Sequence, residues 1–252
     1  MSEQHALKTQ HRRSPFILAV FGGLLLLVIM GFAALGIWQL ERLSWKLDLI
    51  ARVDARVHAA PVPPPERSEW QNINAAADEY RRITVSGTFL NDSETLVGAS
   101  TELGPGFWVM TPLVLADGTT VFVNRGFVPS DRRDRKTRPD SETNGIVTVT
   151  GLMRMTEPKG SLLQSNDPAA GRWYSRDVAA IAQSLGMKDE APYFIDAEAA
   201  PVPGQLPVGG LTKIVFPNNH LVYAITWFAL ALMTVAGCAI AIRHEWAARD
   251  RR

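Results

Sequence analysis

The chain has 252 residues, with 26 basic and 25 acidic side chains, and its mean hydropathy is close to zero. Such averages are typical of a soluble protein, but the stretches Phe16–Leu40 and Leu221–Ile242 contain no Asp, Glu, Lys or Arg. This uneven distribution excludes a simple soluble protein and an intrinsically disordered one. The single Cys excludes a disulfide scaffold.

Both stretches are long enough to cross a bilayer, because about 20 helical residues span a hydrocarbon core of roughly 30 Å. A buried core helix is the alternative for each, and a cleaved signal peptide is a further alternative for the first, which follows a basic leader. The first apolar run is longer than a signal peptide requires. We therefore predict transmembrane helices over residues 16–40 and 218–242.

Basic residues near the ends of the spans predict their orientation. The tails 1–15 and 243–252 carry Lys8, Arg12, Arg13, Arg243, Arg249, Arg251 and Arg252. We expect both termini in the cytoplasm and the central domain outside. The short leader contains Glu3 and is not typical of an organelle transit peptide, which favours a bacterial cytoplasmic (inner) membrane and a periplasmic domain over a mitochondrial location.

The first helix is predicted to continue beyond the bilayer as an amphipathic juxtamembrane helix over residues 41–60. Its apolar residues recur at steps of three and four: Leu43, Leu47, Ile50, Val53 and Val57. The proline-rich segment Pro61–Pro65 is expected to end the helix and to form a stiff connector.

Residues 61–217 are predicted to form a β-rich domain. Alternating or continuous apolar runs that predict strands are Ile83–Phe89, Phe107–Leu115, Val121–Val123, Ile146–Met153, Tyr193–Ile195 and Leu211–Phe216. Asp117-Gly118 predicts a hairpin turn, and a short helix is expected between an Asp177 cap and Gly186. The predicted fold class is a membrane α+β protein, in which two transmembrane helices flank an exported antiparallel barrel- or sandwich-like β domain with one short helix.

Motifs for enzymatic chemistry are absent from the sequence: it contains no Walker loop, dinucleotide fingerprint, nucleophile elbow or His-Glu-x-x-His. We do not expect an enzyme. The basic run Arg132–Arg138 is interrupted by Asp134, so we interpret it as a solvated loop, with a partner or headgroup contact as the alternative and no nucleic acid.

His220 begins the second span, and Tyr223, Ala224 and Trp227 follow on the same helical face. A neutral imidazole at a membrane edge can bind porphyrin iron. Ala224 would leave room for the flat ring, and Arg42 and Lys46, just beyond the first span, could meet its anionic propionates. The alternative is an interfacial His that caps the helix or contacts lipid.

A series of motifs gives the chain a resemblance to the Surfeit locus protein 1 family, from about residue 33 to 231. They are Leu35–Arg42 with Trp45-Lys46, Glu79–Arg82, Gly87–Phe89, Gly106-Phe107, Thr111–Leu113, Val123–Pro129, Gly151–Arg154, Arg172–Tyr174 with Asp177, and Asn218–Trp227. Their order and their placement relative to the two spans make the set specific. Phe127 stands where the family more often has Trp.

The resemblance implies a non-enzymatic assembly factor of haem-copper cytochrome c oxidase. It implies that haem a is transiently bound, with His220 as the ligand of the haem iron, and assisted into oxidase subunit I. Tyr223 and Trp227 would shape the pocket, and Trp38, Arg42 and Lys46 would lie opposite it. Expected partners are subunit I, haem a synthase and the lipid bilayer, and self-association into a homo-oligomer is left open.

A second hypothesis is a membrane-anchored scaffold that holds subunit I or haem a synthase without ligating haem. Asn124-Arg125-Gly126 in the domain is consistent with it, although these residues could equally shape a turn and pair locally. A third class, an envelope sensor, would need a cytoplasmic output domain, which the two short tails do not provide.

Overall fold

The computed structural model describes residues 15–161, 163–199 and 204–250. The chain divides into two compact units, one made of Met1–Ala51 with Phe216–Arg252 and the other of Arg52–Val215. The helices are α1 (Pro15–Val57), α2 (Ala75–Asp78), α3 (Val178–Ser184) and α4 (His220–Asp250). The strands are β1 (Arg82–Phe89), β2 (Thr95–Thr101), β3 (Gly104–Leu115), β4 (Thr120–Pro129), β5 (Ile146–Met155) and β6 (Glu190–Ala197). Most of the basic residues that predicted the orientation, namely Lys8, Arg12, Arg13, Arg251 and Arg252, lie outside the described residues.

Two helices, Ala19–Val57 and His220–Ala248, are long and apolar enough to cross a membrane. Only 6% and 0% of the residues in their most apolar 18-residue stretches are buried, whereas the core helix of a soluble protein would bury such side chains. The hydroxyls of Thr226 and Thr234 donate to carbonyl oxygens of their own helix, each at 2.8 Å. Polar groups satisfied within the helix are what an apolar solvent requires.

Helix α1 is continuous through the predicted span and most of the predicted juxtamembrane segment, and it ends at Val57. Within the domain unit, the Arg56 guanidinium donates to the carbonyl oxygens of Glu79 at 3.2 Å and Ala76 at 2.6 Å. The proline-rich connector is also tied to the domain, because Val62 N donates to Arg82 O and Thr84 N donates to Val62 O, both at 2.9 Å.

The six strands form one sheet in the order β1-β5-β6-β4-β3-β2, which closes into a barrel because β1 also pairs with β3. Closure uses the far end of β3, where Gly87 lies opposite Leu115 and Phe89 opposite Leu113. The pairings are antiparallel except that of β4 with β6, which is parallel. The membrane α+β fold class is therefore confirmed, with one parallel pair where an antiparallel sheet was predicted.

The domain has two apolar cores, one on each face of the central strands. The barrel interior contains Val123 and Ile195, while Phe122 and Phe194 pack with Ile181 of α3. Because neighbouring residues of a strand point to opposite faces, β4 and β6 are buried on both sides. This explains why their sequences are continuous apolar runs rather than alternating ones.

Two local predictions are confirmed in detail. Gly118 adopts φ +85° and Asp117 Oδ1 accepts from Thr119 N at 2.9 Å, which makes the hairpin turn between β3 and β4. Asp177 Oδ1 accepts from Ala180 N at 3.2 Å and caps α3, and Gly186 follows the helix with φ +71°.

Two strand assignments differ from the prediction. Leu211–Phe216 has no regular structure, so the predicted strand there is wrong, and the Thr212 hydroxyl instead donates to Asp196 at 3.0 Å. Strand β2 was not predicted, because its residues Gly98–Ser100 are too small to give an apolar alternation.

The interpretation of the basic run as a solvated loop is wrong for Arg138, whereas the other basic residues of the run are partly or fully exposed. The Arg138 side chain is only 2% exposed and pairs with Glu94, which is 9% exposed. Arg135 pairs with Asp92 at 2.7 Å and Glu142 at 2.9 Å. Acidic residues distant in sequence therefore fold this loop against the barrel.

Candidate functional site

His220 is the first residue of α4, and its imidazole contacts α1 directly. Nδ1 of His220 lies 2.8 Å from Oε1 of Gln39. The Gln39 side chain is nearly buried, at 8% exposed, and His220 is partly buried. This contact joins residues 181 positions apart in the sequence, and it links the two apolar helices through a polar pair.

The contact fixes which imidazole nitrogen is free. The amide oxygen that faces Nδ1 can only accept a hydrogen bond, so Nδ1 carries a proton, and in the neutral imidazole Nε2 then carries the lone pair. A neutral imidazole with a free Nε2 is the form that binds porphyrin iron. The donor set at this position therefore fits an axial haem ligand.

Within residues 15–161, 163–199 and 204–250, no group of three or more His, Cys, Asp or Glu side chains converges. A single imidazole is a ligand of the kind that porphyrin iron accepts.

The two helices are in close contact at the turns beside this site. A Cβ added at Gly36 would lie 2.7 Å from the Phe228 ring, so the backbone of α1 meets that ring directly. Phe32 and Trp227 stack with their ring centroids 5.7 Å apart. Ala224 is 1% exposed, so its methyl group is covered by protein, and the expectation that it leaves room for a flat ring stays a prediction.

The remaining predicted residues fall into two groups. Lys46 shares the α1 face of Gln39, seven residues on, and its Nζ lies 5.1 Å from the Phe216 ring, close to the start of α4. Trp38 and Tyr223 are each 54% exposed, and the Arg42 guanidinium lies 4.1 Å from the ring of its own neighbour Trp45. The Trp38 and Arg42 side chains are therefore exposed, whereas Gln39 is nearly buried.

Sequence reasoning missed Gln39, although one signal was present. It is the one residue of Phe16–Leu40 with an amide, hydroxyl or charged side chain. A lone polar side chain in a membrane span usually hydrogen-bonds to another helix. A second polar group also lies beside His220, because the buried Asn218 Oδ1 has no hydrogen-bond partner among the described residues.

The domain has its own polar cluster around Asp196, which is 4% exposed. Its carboxylate accepts from Asn124 at 2.8 Å, Arg176 at 3.0 Å, Thr212 at 3.0 Å and Arg154 at 3.2 Å. Asn124 lies inside β4, so the interpretation of Asn124-Arg125-Gly126 as a turn is wrong. Gly126 adopts φ +131°, and a Cβ at this position would lie 2.3 Å from the Val208 carbonyl, so only glycine fits here.

Ion pairing within this cluster shifts two pKa values. Burial alone would lower the pKa of Arg176, but the hydrogen bond to Glu157 and the charges of Asp196 and Glu157 outweigh it and raise this pKa. Burial alone would raise the pKa of Glu157, yet its hydrogen bond and charge interaction with Arg176 lower it. Both groups are therefore held in their charged forms.

A cavity of about 470 Å³ opens beside the cluster. Its walls include Trp108, Arg154, Arg176 and Lys213. Most charged groups of this wall are already paired: Arg154 and Arg176 donate to Asp196, and Lys213 Nζ lies 2.7 Å from Glu102.

The fold and the site together define a class of protein. It is a membrane protein in which a closed β domain lies between two apolar helices in the sequence, with a His at the first residue of the second helix. The model of the SURF1 family matches residues 26–232. The chain belongs to the SURF1 family.

Relatives of the chain include three animal proteins. It is 36% identical over 230 residues to Surfeit locus protein 1 of Homo sapiens, covering 84% of this chain and 73% of the human protein. It is 35% identical to Surfeit locus protein 1 of Xenopus tropicalis, covering 84% of this chain and 72% of that one. It is 34% identical to the SURF1-like protein of Caenorhabditis elegans, covering 85% and 72%.

Proposed function

We propose that this protein is a non-enzymatic assembly factor of haem-copper cytochrome c oxidase, which binds haem a through His220 and assists its insertion into subunit I. The observation that carries the proposal is the Gln39 contact at 2.8 Å, which engages Nδ1 and leaves Nε2 of His220 as an electron-pair donor. Family membership supports an assembly role. The haem supplies the iron that the imidazole ligates.

The residues around His220 have separate tasks in this proposal. Trp227, stacked on Phe32, and the exposed Tyr223 offer aromatic surface to a flat apolar ring. Lys46, whose Nζ lies 5.1 Å from the Phe216 ring, is the cation best placed for a propionate, and the more exposed Arg42 and Trp38 lie to the side. A hydrophobic cofactor could thus stay in the apolar layer while its charged edge reaches the interface.

The proposed setting is a bacterial inner membrane with both termini in the cytoplasm and the central domain in the periplasm. The basic tails support this orientation. Haem a synthase and oxidase subunit I would be the donor and acceptor partners within the bilayer, a homo-oligomer is compatible with the role, and no nucleic acid is involved.

The test compares the wild type with His220→Ala after purification from cells that make haem a. We expect the wild type to retain haem a with a Soret band and the variant to lose it, because Nε2 is the iron ligand. The matched control is His58→Ala, since His58 is an exposed histidine directly after α1 whose Nδ1 contacts Asp54 O, one turn back, at 2.9 Å. Equal haem content in wild type and His220→Ala would contradict the ligand assignment.

The scaffold hypothesis is the second candidate, and the cavity of about 470 Å³ in the domain favours it. Its wall places Trp108 beside the charged side chains of Arg154, Arg176 and Lys213, which suits a polar group of a partner protein. Wild-type protein that co-purifies with oxidase subunits but has no Soret band would support the scaffold over the haem carrier.

A further inference from the structure

The hydrogen bond between Gln39 and His220 does more than join the two helices. Its acceptor, Gln39 Oε1, lies 2.8 Å from Nδ1, and the amide is nearly buried, at 8% exposed. A buried amide that lost its partner would be left with an unsatisfied oxygen in an apolar environment, which is costly. The contact therefore holds the imidazole in one orientation, and in the neutral ring it favours the proton on Nδ1.

We infer that Gln39 is a positioning residue that sets the tautomer and the direction of His220, so that Nε2 is presented as the metal-binding atom. The inference about haem rests on the proposed function, whereas the tautomer of the neutral ring rests on the contact between Gln39 Oε1 and Nδ1. A neutral histidine has two tautomers, and only the one protonated at Nδ1 has its lone pair on Nε2. Outer partners of this kind commonly contribute 10- to 100-fold to metal affinity.

The Gln39 side chain is uncharged, and this affects how strongly the imidazole would bind iron. A carboxylate at this position would attract the Nδ1 proton strongly and would make the imidazole a stronger donor to iron. An amide orients the ring without that effect, and it adds no charge to an apolar helix. A weaker iron bond is appropriate to a carrier that has to release its cofactor.

The packing of α1 against α4 sets the distance that the Gln39 side chain must span to reach His220. Gly36, one turn before Gln39, contacts the Phe228 ring, and Ala224, one turn after His220, is 1% exposed. These small residues fix the separation of the helices, and the glutamine side chain spans the remaining gap. Asparagine is one methylene shorter and should not reach, whereas glutamate has the same length as glutamine.

The first experiment uses the haem-free full-length protein in detergent, with ¹⁵N-labelled histidine, at a pH above the ordinary histidine pKa of about 6.5. The His220→Ala variant assigns the His220 signal. We expect wild-type His220 to carry its proton on Nδ1, and Gln39→Leu and Gln39→Asn to move it toward the Nε2-protonated form. A wild-type His220 protonated at Nε2, or a Gln39→Leu spectrum identical to the wild type, would overturn the inference.

The second experiment titrates the same proteins with purified haem a. We expect Gln39→Leu to weaken binding by about 10- to 100-fold. Gln39→Glu should retain binding, with a lower reduction potential and a stronger iron–histidine bond by resonance Raman. The control is Thr234→Val, which removes a polar group of α4 that bonds only to its own helix at Leu230 O, and it should behave as the wild type.

Together the two experiments distinguish a failure of the proposed haem-binding function from a failure of the positioning role of Gln39. Absence of haem binding by the wild type would reject the proposed function, while the haem-free spectra would still decide the tautomer. Normal haem binding through His220 in Gln39→Leu, with an unchanged tautomer, would reject only the role of Gln39.

Discussion

At the scale of single residues, the ion pairs of the buried Asp196 carboxylate are the feature of the domain from which the effect of a substitution on stability can be predicted most directly. Asp196 is 4% exposed and faces two guanidinium groups, those of Arg154 at 15% and Arg176 at 13% exposed. Arg176 is also enclosed by aromatic rings, with its guanidinium 4.7 Å from the Phe194 ring centroid. Removing one partner from such a cluster leaves charge uncompensated in a poorly solvated site.

We predict that Asp196→Asn destabilises the protein by about 3 kcal/mol, because Arg154 and Arg176 lose their shared counter-charge. The measurement is the free energy of unfolding of the full-length protein in detergent, followed by tryptophan fluorescence. The control is Glu198→Gln, since Glu198 pairs with Arg82 at the solvent-exposed surface and its loss should change stability little. Equal effects of the two substitutions would show that the Asp196 cluster contributes no more to the free energy of unfolding than an exposed ion pair.

At the scale of elements, the α1–α4 pair depends on a few small residues. Gly36 is in direct contact with Phe228, whereas a Cβ at Gly31, on the same helix, would meet nothing within 4 Å. Small residues at helix contacts let backbones approach, and a larger side chain in such a contact forces displacement. The hydrogen bond between Gln39 and His220 depends on this separation.

We predict that Gly36→Val lowers stability by about 1–3 kcal/mol and weakens the Gln39–His220 contact, because the new methyl groups collide with the Phe228 ring. Thermal unfolding in detergent measures the first effect, and the ¹⁵N signal of His220 measures the second. Gly31→Val is the matched control and should change neither. Partial recovery in Gly36→Val combined with Phe228→Ala would confirm that the ring is the obstacle.

At the scale of the whole molecule, charge and apolar surface are divided between the two units. The apolar side chains of α1 and α4 face outward, as in a protein solvated by lipid, while the charged residues of the domain form paired networks. The stability of the domain should therefore depend on pH through its paired carboxylates.

We predict that acid destabilises the protein partly through Glu157. Its pKa is lowered in the folded state, so the stabilisation is complete above the ordinary value of 4.5 and is lost as the pH falls through the lowered pKa. Unfolding measured between neutral pH and acid should show a flatter pH dependence for Glu157→Gln than for the wild type, with lower stability at neutral pH.

Glu102→Gln is the comparison for this experiment. The pKa of Glu102 is also lowered, by its hydrogen bond to and the charge of Lys213, but this pair is exposed and is screened by salt. Its substitution should leave the acid response nearly unchanged at high ionic strength. If Glu102→Gln flattened the pH dependence of stability as much as Glu157→Gln does, a dominant role for the Glu157–Arg176 pair would be contradicted.

The sequence was most informative where one local rule decides the structure. Gly118 and Asp177 were predicted in their roles because a turn and a helix cap depend on a few adjacent residues. Strand β2 and the irregular segment at Leu211–Phe216 were not, because strand formation depends on which backbone lies alongside, and Gly98–Ser100 give no apolar pattern to reveal it.

The site was predictable only in part, for a similar reason. His220 stood out because a charge-free span begins there. Tyr223 and Trp227 could be placed on the same face as His220 from the helical spacing alone. Gln39 could have been noticed as a lone polar residue in a span, but its partner could not, since the rotation of one helix against another is set by contacts such as Gly36 with Phe228. Arg138 looked like a solvated residue until the fold placed Glu94 beside it.

By itself, then, the sequence determined the two apolar helices, the β-rich domain between them, the family and the histidine at issue, because composition and local spacing suffice for each. Only the tertiary structure decided that the barrel closes through β1 and β3, that Arg138 is buried, and that Gln39 meets Nδ1 of His220. These outcomes depend on residues far apart in the chain, and no local pattern specifies which distant groups will share a hydrogen bond or a charge.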